Sequence, residues 1–141
     1  MKTQTINQKI EINASAEKVW QVLFNKDSYK KWAMAFMPGS YYTGDLKPGG
    51  RIQFLDPDNN GMVSDVESVT RNQEIVFHHL FELEAGKEGR SLEDMRERYL
   101  LKEQDGVTTL LVSSDMPEKY FEEMNTATTR ALQIIKELSE Q

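Results

Sequence analysis

The sequence predicts an α+β fold in which a curved antiparallel sheet of roughly six to seven strands wraps around one long C-terminal helix. Three observations support it. Residues 116–140 carry apolar side chains at helical spacing, and these form one continuous stripe. Much of the preceding chain alternates between apolar and polar residues, as half-buried strands do. Turn sequences separate these stretches, so successive strands should pair as antiparallel hairpins.

The first strand is predicted at residues 5–12, followed by two short helices. Ser15 is suited to cap the first helix, and the second should begin at Asp27 or Ser28. Both carry apolar residues at helical spacing: Val19, Trp20, Leu23 and Phe24 in the first, and Tyr29 and Trp32 in the second.

Further strands are predicted at residues 40–45, 51–55, 62–70, 74–82, 95–103 and 107–114. Asn60 and Gly61 give the strongest hairpin signal between them. The polar segment 84–94 is expected to be a loop. The apolar connector 33–38 is expected to be partly buried or to form the rim of an opening.

The C-terminal helix should begin with Asp115 as its cap and Pro117 in its first turn. A helix of this length is marginal alone in water, so its stripe must cover a large apolar surface. The stripe comprises Tyr120, Phe121, Met124, Ala127, Thr128, Ala131, Leu132, Ile134, Ile135 and Leu138.

Composition narrows the class of protein. A length of 141 residues predicts one domain spanning residues 1–141. The net charge of -6 argues against a nucleic-acid-binding surface. The sequence has no cysteine, which excludes disulfides and thiol catalysis. The N-terminus lacks the apolar run of a signal peptide and no apolar segment is long enough to span a membrane, so we expect a cytoplasmic protein without membrane insertion.

Catalytic and cofactor motifs are absent from the sequence, including G-x-S-x-G, Walker A, G-x-G-x-x-G and H-E-x-x-H. No cofactor is therefore expected. His78 and His79 are adjacent on a predicted strand and point to opposite faces, and the chain has no third histidine. We therefore expect no metal site at this pair.

Several short sequences resemble the activator-of-Hsp90-ATPase-homologue (AHSA1-like) group of the START/Bet v 1-like superfamily. Residues 10–20 are similar to its opening strand and helix, residues 29–32 to its aromatic pair, residues 45–50 to its Gly-Gly turn, and residues 106–110 to its last hairpin. The resemblance implies the helix-grip fold. It leaves function open, since the superfamily includes lipid carriers, hydrolases, cyclases and chaperone activators. Where this group often has an aromatic residue, the chain has His79.

The register that the resemblance implies places alternate residues of each strand on the inner face. Ile75, Phe77, His79 and Phe81 should then point inward together, as should Met95, Glu97, Tyr99 and Leu101. Small residues in the middle of the C-terminal helix would leave a cavity above this face, or would simply let the helix pack close to the sheet. The candidate ligand-binding residues of the cavity are Trp32, Met34, Phe36, Phe54, His79, Phe81, Glu97, Tyr99, Met124 and Thr128.

These observations favour binding of a hydrophobic small molecule, lipid-like or polycyclic, between sheet and helix. One alternative is a module that binds a protein partner, of the chaperone-activator type. Another is an enzyme acting on a hydrophobic substrate, for which His79, Glu97 and Tyr99 are the candidate catalytic residues. A different register would instead place Glu97 outside, among the charges of Arg96 and Arg98.

Overall fold

The computed structural model describes residues 2–92 and 95–141. Its strands are β1 (Thr3–Ile12), β2 (Tyr41–Thr43), β3 (Arg51–Leu55), β4 (Gly61–Thr70), β5 (Glu74–Glu84), β6 (Lys87–Ser91), β7 (Arg96–Gln104) and β8 (Val107–Pro117). Its helices are α1 (Ala16–Phe24), α2 (Lys26–Ala33) and α3 (Phe121–Ser139), and a 3-10 turn covers Glu118–Tyr120.

The strands form one antiparallel sheet in the order β1-β8-β7-β5-β4-β3-β2, and β6 pairs with β5 beside this path. Helix α3 packs against β1, α1 and α2. This arrangement confirms the predicted α+β, helix-grip architecture, in which the long helix covers the apolar face of the sheet.

Two side-chain caps set the bounds of the short helices. The Ser15 hydroxyl accepts a hydrogen bond from Lys18 N at the start of α1, and Asn25 Oδ1 accepts one from Asp27 N at the start of α2. Trp32 Nε1 then donates to the carbonyls at the end of α1, 3.1 and 3.2 Å away. This indole is therefore anchored where the two helices meet.

Aromatic side chains fill the centre of the space between helices and sheet. The Phe77 ring lies 5.2 Å from that of Phe54, and the Tyr99 ring lies 5.6 Å from that of Phe24, in edge-to-face arrangements between centroids. Below the middle of α3, Ala131 is only 2% exposed and belongs to the same core. At Ala131 the small side chain therefore allows close packing.

A β-bulge changes the direction of one predicted inner residue. His79 pairs with Ser64, whereas Phe81 pairs with Val63, so Leu80 is an extra residue in β5. The extra residue reverses the alternation, and Phe81 packs in a separate cluster with Leu55, Val63 and Leu83. The prediction that Phe81 points inward with His79 is therefore wrong.

The start of the C-terminal helix also differs from the prediction. Strand β8 continues through Pro117 because it pairs with β1 along its whole length, and α3 begins only at Phe121. Asp115 accepts hydrogen bonds from Thr5 Oγ1 and Arg96 N instead of capping the helix. Tyr120, predicted as part of the helical stripe, precedes α3 and is 37% exposed.

The predicted loop 84–94 is wrong for residues 87–91, which form β6. Ala85 and Gly86 both have positive φ, 50° and 81°, and turn the chain back on β5 as a hairpin. Every residue of β6 is exposed, so the sequence carries no apolar alternation there. Residues 93 and 94 of the predicted loop lie outside the described residues.

Packing under α3 can be tested by making the same substitution, alanine to leucine, at a buried and at a half-buried position. Ala131→Leu is expected to lower the free energy of unfolding by about 1–3 kcal/mol, because the larger side chain must displace packed neighbours. The control Ala127→Leu, one turn earlier and only half-buried, should change it by less than about 0.5 kcal/mol. Urea unfolding measures both, and equal tolerance of the two changes would contradict close packing at Ala131.

Candidate functional site

A groove of about 180 Å³ lies between the connector 33–38 and the first half of α3. Its lining comprises Ala35, Phe36, Glu123, Met124, Thr126, Ala127 and Arg130. The connector is partly buried, as predicted, since Ala33 and Ala35 are buried, whereas Met34 and Met37 are 51% and 49% exposed. The lining thus combines four apolar side chains with one hydroxyl and one charge of each sign.

Contacts between aromatic rings lead from the groove to the inner face of the sheet. Phe36 lies in the groove, with its ring centroid 6.5 Å from that of Trp32. Trp32 in turn lies 6.4 Å from Tyr99 on β7. Phe36 and Trp32 therefore connect the groove to Tyr99 on the inner face.

A chain of polar side chains crosses β4, β5 and β7 on the inner face. Ser64 Oγ lies 2.6 Å from His79 Nδ1, and His79 Nε2 lies 3.5 Å from Glu97 Oε1, which is longer than an ordinary hydrogen bond. Tyr99 donates its hydroxyl hydrogen to Glu97 Oε2 over 2.6 Å. Ser64 and His79 are 0% and 3% exposed, whereas the Glu97 side chain is 20% exposed.

The positions of the hydrogen atoms follow from the partners of Ser64. In the part of the chain that the structure describes, the Ser64 hydroxyl has one hydrogen-bond partner, His79 Nδ1. We infer that the hydroxyl donates to Nδ1 and that the ring carries its own hydrogen on Nε2, facing Glu97, because this tautomer gives both hydrogens a partner. With a neutral imidazole, each donor in this polar chain points toward the Glu97 carboxylate.

Burial alone would raise the pKa of Glu97, but the interactions with His79 and Tyr99 outweigh it, and the pKa of this carboxyl lies below its ordinary value. Glu97 is therefore ionised at neutral pH. Burial raises the pKa of Tyr99 and of Tyr29, and the negative charge of Glu97 raises both further. The field of the carboxylate thus extends to both phenols.

The strand register places Glu97 at the same end of the fold as the groove. Gln8 Nε2 donates to the Asn125 carbonyl, and Lys136 reaches a carbonyl near the end of β1, so α3 runs in the direction of β1. Strand β7 also runs in this direction, and Tyr99 is level with Gln8 because both residues pair with Val112 of β8. Glu97, two residues earlier, therefore lies toward the first turns of α3.

The structure brings only some of the predicted ligand-binding residues together. His79, Glu97 and Tyr99 form the polar chain; Trp32 and Phe54 lie in the aromatic core; Phe36 and Met124 line the groove; and Thr128 is buried on α3. Met34 is half exposed on the connector, and Phe81 lies in the separate cluster. Glu97 faces inward, as the predicted register requires, and not outward with Arg96 and Arg98.

Ser64 is the polar-chain residue that the sequence prediction missed. It stands between Met62 and Val66 in the alternation of β4, which is an inward position, so the period of the strand could have identified it. Glu123 and Arg130 were also missed, because helical spacing assigns them to the polar side of α3. Their place beside the groove depends on the packing of the connector.

Among residues 2–92 and 95–141, no group of three or more His, Asp or Glu side chains is placed to hold a metal ion. The described helices also include none that is long and apolar enough to span a membrane.

The hydrogen bond from Tyr99 to Glu97 can be tested by removing one hydroxyl. Tyr99→Phe is expected to lower the free energy of unfolding by about 1.5–3 kcal/mol, the usual range for a hydrogen bond to a charged group. Tyr41→Phe is the control, because the Tyr41 hydroxyl makes only an exposed 3.3 Å contact with Asn59. Equal stability of the two variants in urea unfolding would refute the role assigned to the Tyr99 hydroxyl.

The lowered pKa of Glu97 predicts a contribution to stability that depends on pH. Because the folded-state pKa lies below the ordinary value of 4.5, this contribution is full above about pH 4.5 and is lost as the pH falls through the folded-state pKa. The difference in unfolding free energy between the native protein and Glu97→Gln should therefore shrink from pH 7 to pH 3. A difference that stays constant or grows toward acid pH would contradict the assignment.

Comparison with known proteins gives a family and a set of similar folds. The model of the family described as activator of Hsp90 ATPase homolog 1-like protein matches residues 13–140. No relative was found among curated protein sequences.

Solved structures with the same fold include the Aha1 dimer from Colwellia psychrerythraea, which is 21% identical with a TM-score of 0.75. The match covers 97% of this chain and 96% of that one. CalU16 from Micromonospora echinospora is 16% identical with a TM-score of 0.70, and the match covers 97% and 76% of the two chains. DynU16, from the dynemicin biosynthetic locus, is 13% identical with a TM-score of 0.71 over 94% of this chain. The chain spans about half of DynU16, 46% of its length.

At these identities the solved structures bear on the fold alone, whereas the family match extends over most of the sequence. The chain belongs to the activator of Hsp90 ATPase homolog 1-like family.

Proposed function

We propose that the protein binds a hydrophobic small molecule, lipid-like or polycyclic, in the space between α3 and the sheet. The groove beside Phe36 carries this proposal, because Phe36 lines it and the Phe36 ring lies 6.5 Å from that of Trp32 in the aromatic core. A largely apolar site with a few polar groups suits such a ligand. The polar chain that ends at Glu97 supplies those groups at the same end of the fold.

The volume of the groove limits what it can hold without rearrangement. A groove of about 180 Å³ is similar to the cavity of about 150 Å³ that holds one benzene. Pockets for drug-sized ligands measure about 300–1,000 Å³. The groove therefore accepts one ring or a short alkyl segment as it stands, and a larger ligand requires a side chain to move.

Phe36 is the side chain best placed to move. It is half-buried and has no polar group to hold it, whereas the Trp32 indole behind it donates to two carbonyls of α1. Rotation of Phe36 away from Trp32 would join the groove to the aromatic core. Met124 lines the groove together with Phe36, and the flexible thioether side chain of methionine adapts to irregular ligands.

Filling the groove tests the proposed function. A panel of lipid-like and polycyclic compounds is expected to raise the melting temperature, since a ligand at about 100 times its dissociation constant adds roughly 2.7 kcal/mol of stability. Ala127→Trp should abolish the shift, because the indole would occupy the groove. The control Gln133→Trp places the same side chain on the exposed side of α3 and should leave the shift intact.

The proposal would be refuted if no compound raised the melting temperature, or if Ala127→Trp and Gln133→Trp responded to ligand alike. The exposure of Met34 and Met37 favours one other function, a docking site for a protein partner on the connector. Met34→Ser and Met37→Ser together would weaken such docking, whereas the small-molecule shift would remain.

A further inference from the structure

We infer that the ligand carries a protonated amine or a similar cationic hydrogen-bond donor, and that the Glu97 carboxylate receives it. This inference rests on the proposed function and adds the chemical class of the ligand. It follows from the charge of the polar chain, from the direction in which Arg96 and Arg98 point, and from the aromatic rings around Glu97.

The polar chain has a net negative charge. In the tautomer inferred above, Ser64 donates to His79 Nδ1, and the imidazole is neutral with its hydrogen on Nε2. A second ring hydrogen would sit on Nδ1 and leave the buried Ser64 hydroxyl without its acceptor. Glu97 therefore contributes one full charge that His79 does not neutralise.

The cationic neighbours of Glu97 lie on the opposite face of the sheet. Arg96 and Arg98 flank it in β7 and point outward, where they pair with Glu67 and Glu74. In residues 2–92 and 95–141, the salt-bridge partner of Glu97 is His79. With a neutral imidazole, the carboxylate has no full positive charge beside it among these residues, which is costly for a largely buried ion. A cationic ligand would supply that charge.

Glu97 retains the capacity to accept another hydrogen bond. Each carboxylate oxygen has two acceptor positions, and here one oxygen accepts from Tyr99 while the other faces His79 at 3.5 Å. The Glu97 side chain is 20% exposed, whereas Ser64 and His79 are almost fully buried, so Glu97 is the member of the polar chain that a ligand would meet first.

Aromatic rings near Glu97 favour the same ligand. Tyr99 donates to the carboxylate, Trp32 lies 6.4 Å from Tyr99, and Tyr29 lies 4.8 Å from Trp32 between ring centroids. The faces of such rings attract cations. A ligand carboxylate at this position would be repelled by the Glu97 charge and by the electron-rich ring faces. Such a ligand could instead pair with Arg130, which lines the groove.

A matched ligand series tests this inference directly. Decylamine, decanol and decanoic acid share one alkyl chain and differ in the charge of the head group at neutral pH. Calorimetric titration below their aggregation concentrations should give the tightest binding for the amine, at least about tenfold tighter than for the acid. The three ligands also test the proposed function, because any of them can occupy an apolar site.

Two variants that remove the same charge locate the recognition. Glu97→Gln should abolish the preference for the amine, whereas Glu123→Gln, beside the groove, should retain it. This control also measures the general attraction of a cation to a protein with a net charge of -6. Glu97→Asp, which withdraws the carboxylate by one methylene, should weaken amine binding and serves if Glu97→Gln does not fold.

The outcomes separate the two proposals. Equal affinity for the three ligands, or tightest binding of the acid, overturns the inference and leaves the proposed function standing. Loss of the amine preference in Glu123→Gln but not in Glu97→Gln also overturns it, because the cation would then bind beside the groove. Failure of all three ligands to bind overturns the proposed function and the inference with it.

Discussion

A carboxylate on the concave face of a sheet is the constraint on which the inner face of this protein depends. Glu97 is ionised among aromatic rings, and its charge is supported by Tyr99 and by a histidine whose other nitrogen accepts from Ser64. These groups come from three neighbouring strands. Their alignment therefore depends on the register of β4, β5 and β7, because a slip of one residue would turn the side chains to the other face.

Two bulges in the pairing of β4 with β5 lie on either side of this alignment. Leu80 is the extra residue in β5 and Glu67 the extra residue in β4, and Ser64 and His79 pair between them. Bulges are often found where a sheet re-aims a side chain toward a functional site. Here the bulge at Leu80 turns Phe81 to the outer face, whereas His79 and Ser64 lie on the inner face.

The sequence predicted the elements whose pattern is local. Helical spacing identified the apolar stripe of α3, and Ser15 marked the start of α1. The first residue of α3 was mispredicted because Asp115 and Pro117 are good helix-start residues, and only pairing with β1 shows that they belong to a strand. Strand β6 was missed because all of its residues are polar and exposed.

Alternation along the strands predicted part of the candidate site, but it could not predict the groove. Inward positions for His79, Glu97 and Tyr99 followed from the register that the family resemblance implies, together with a period of two. The position of Phe81 was predicted wrongly, because a bulge leaves no trace in apolar periodicity. The groove depends on how the connector lies against α3. Its charged residues, Glu123 and Arg130, look like any solvent-facing residues of a helix.

The protonation state of His79 is the central claim, because it decides whether the polar chain carries a negative charge. Nitrogen-15 NMR of the two imidazole rings at neutral pH measures it directly, with His79→Gln used to assign the signals. We expect a neutral His79 ring, with hydrogen on Nε2 and an unprotonated Nδ1 that accepts from Ser64. Signals from two protonated nitrogens in His79, or from hydrogen on Nδ1 alone, would contradict it.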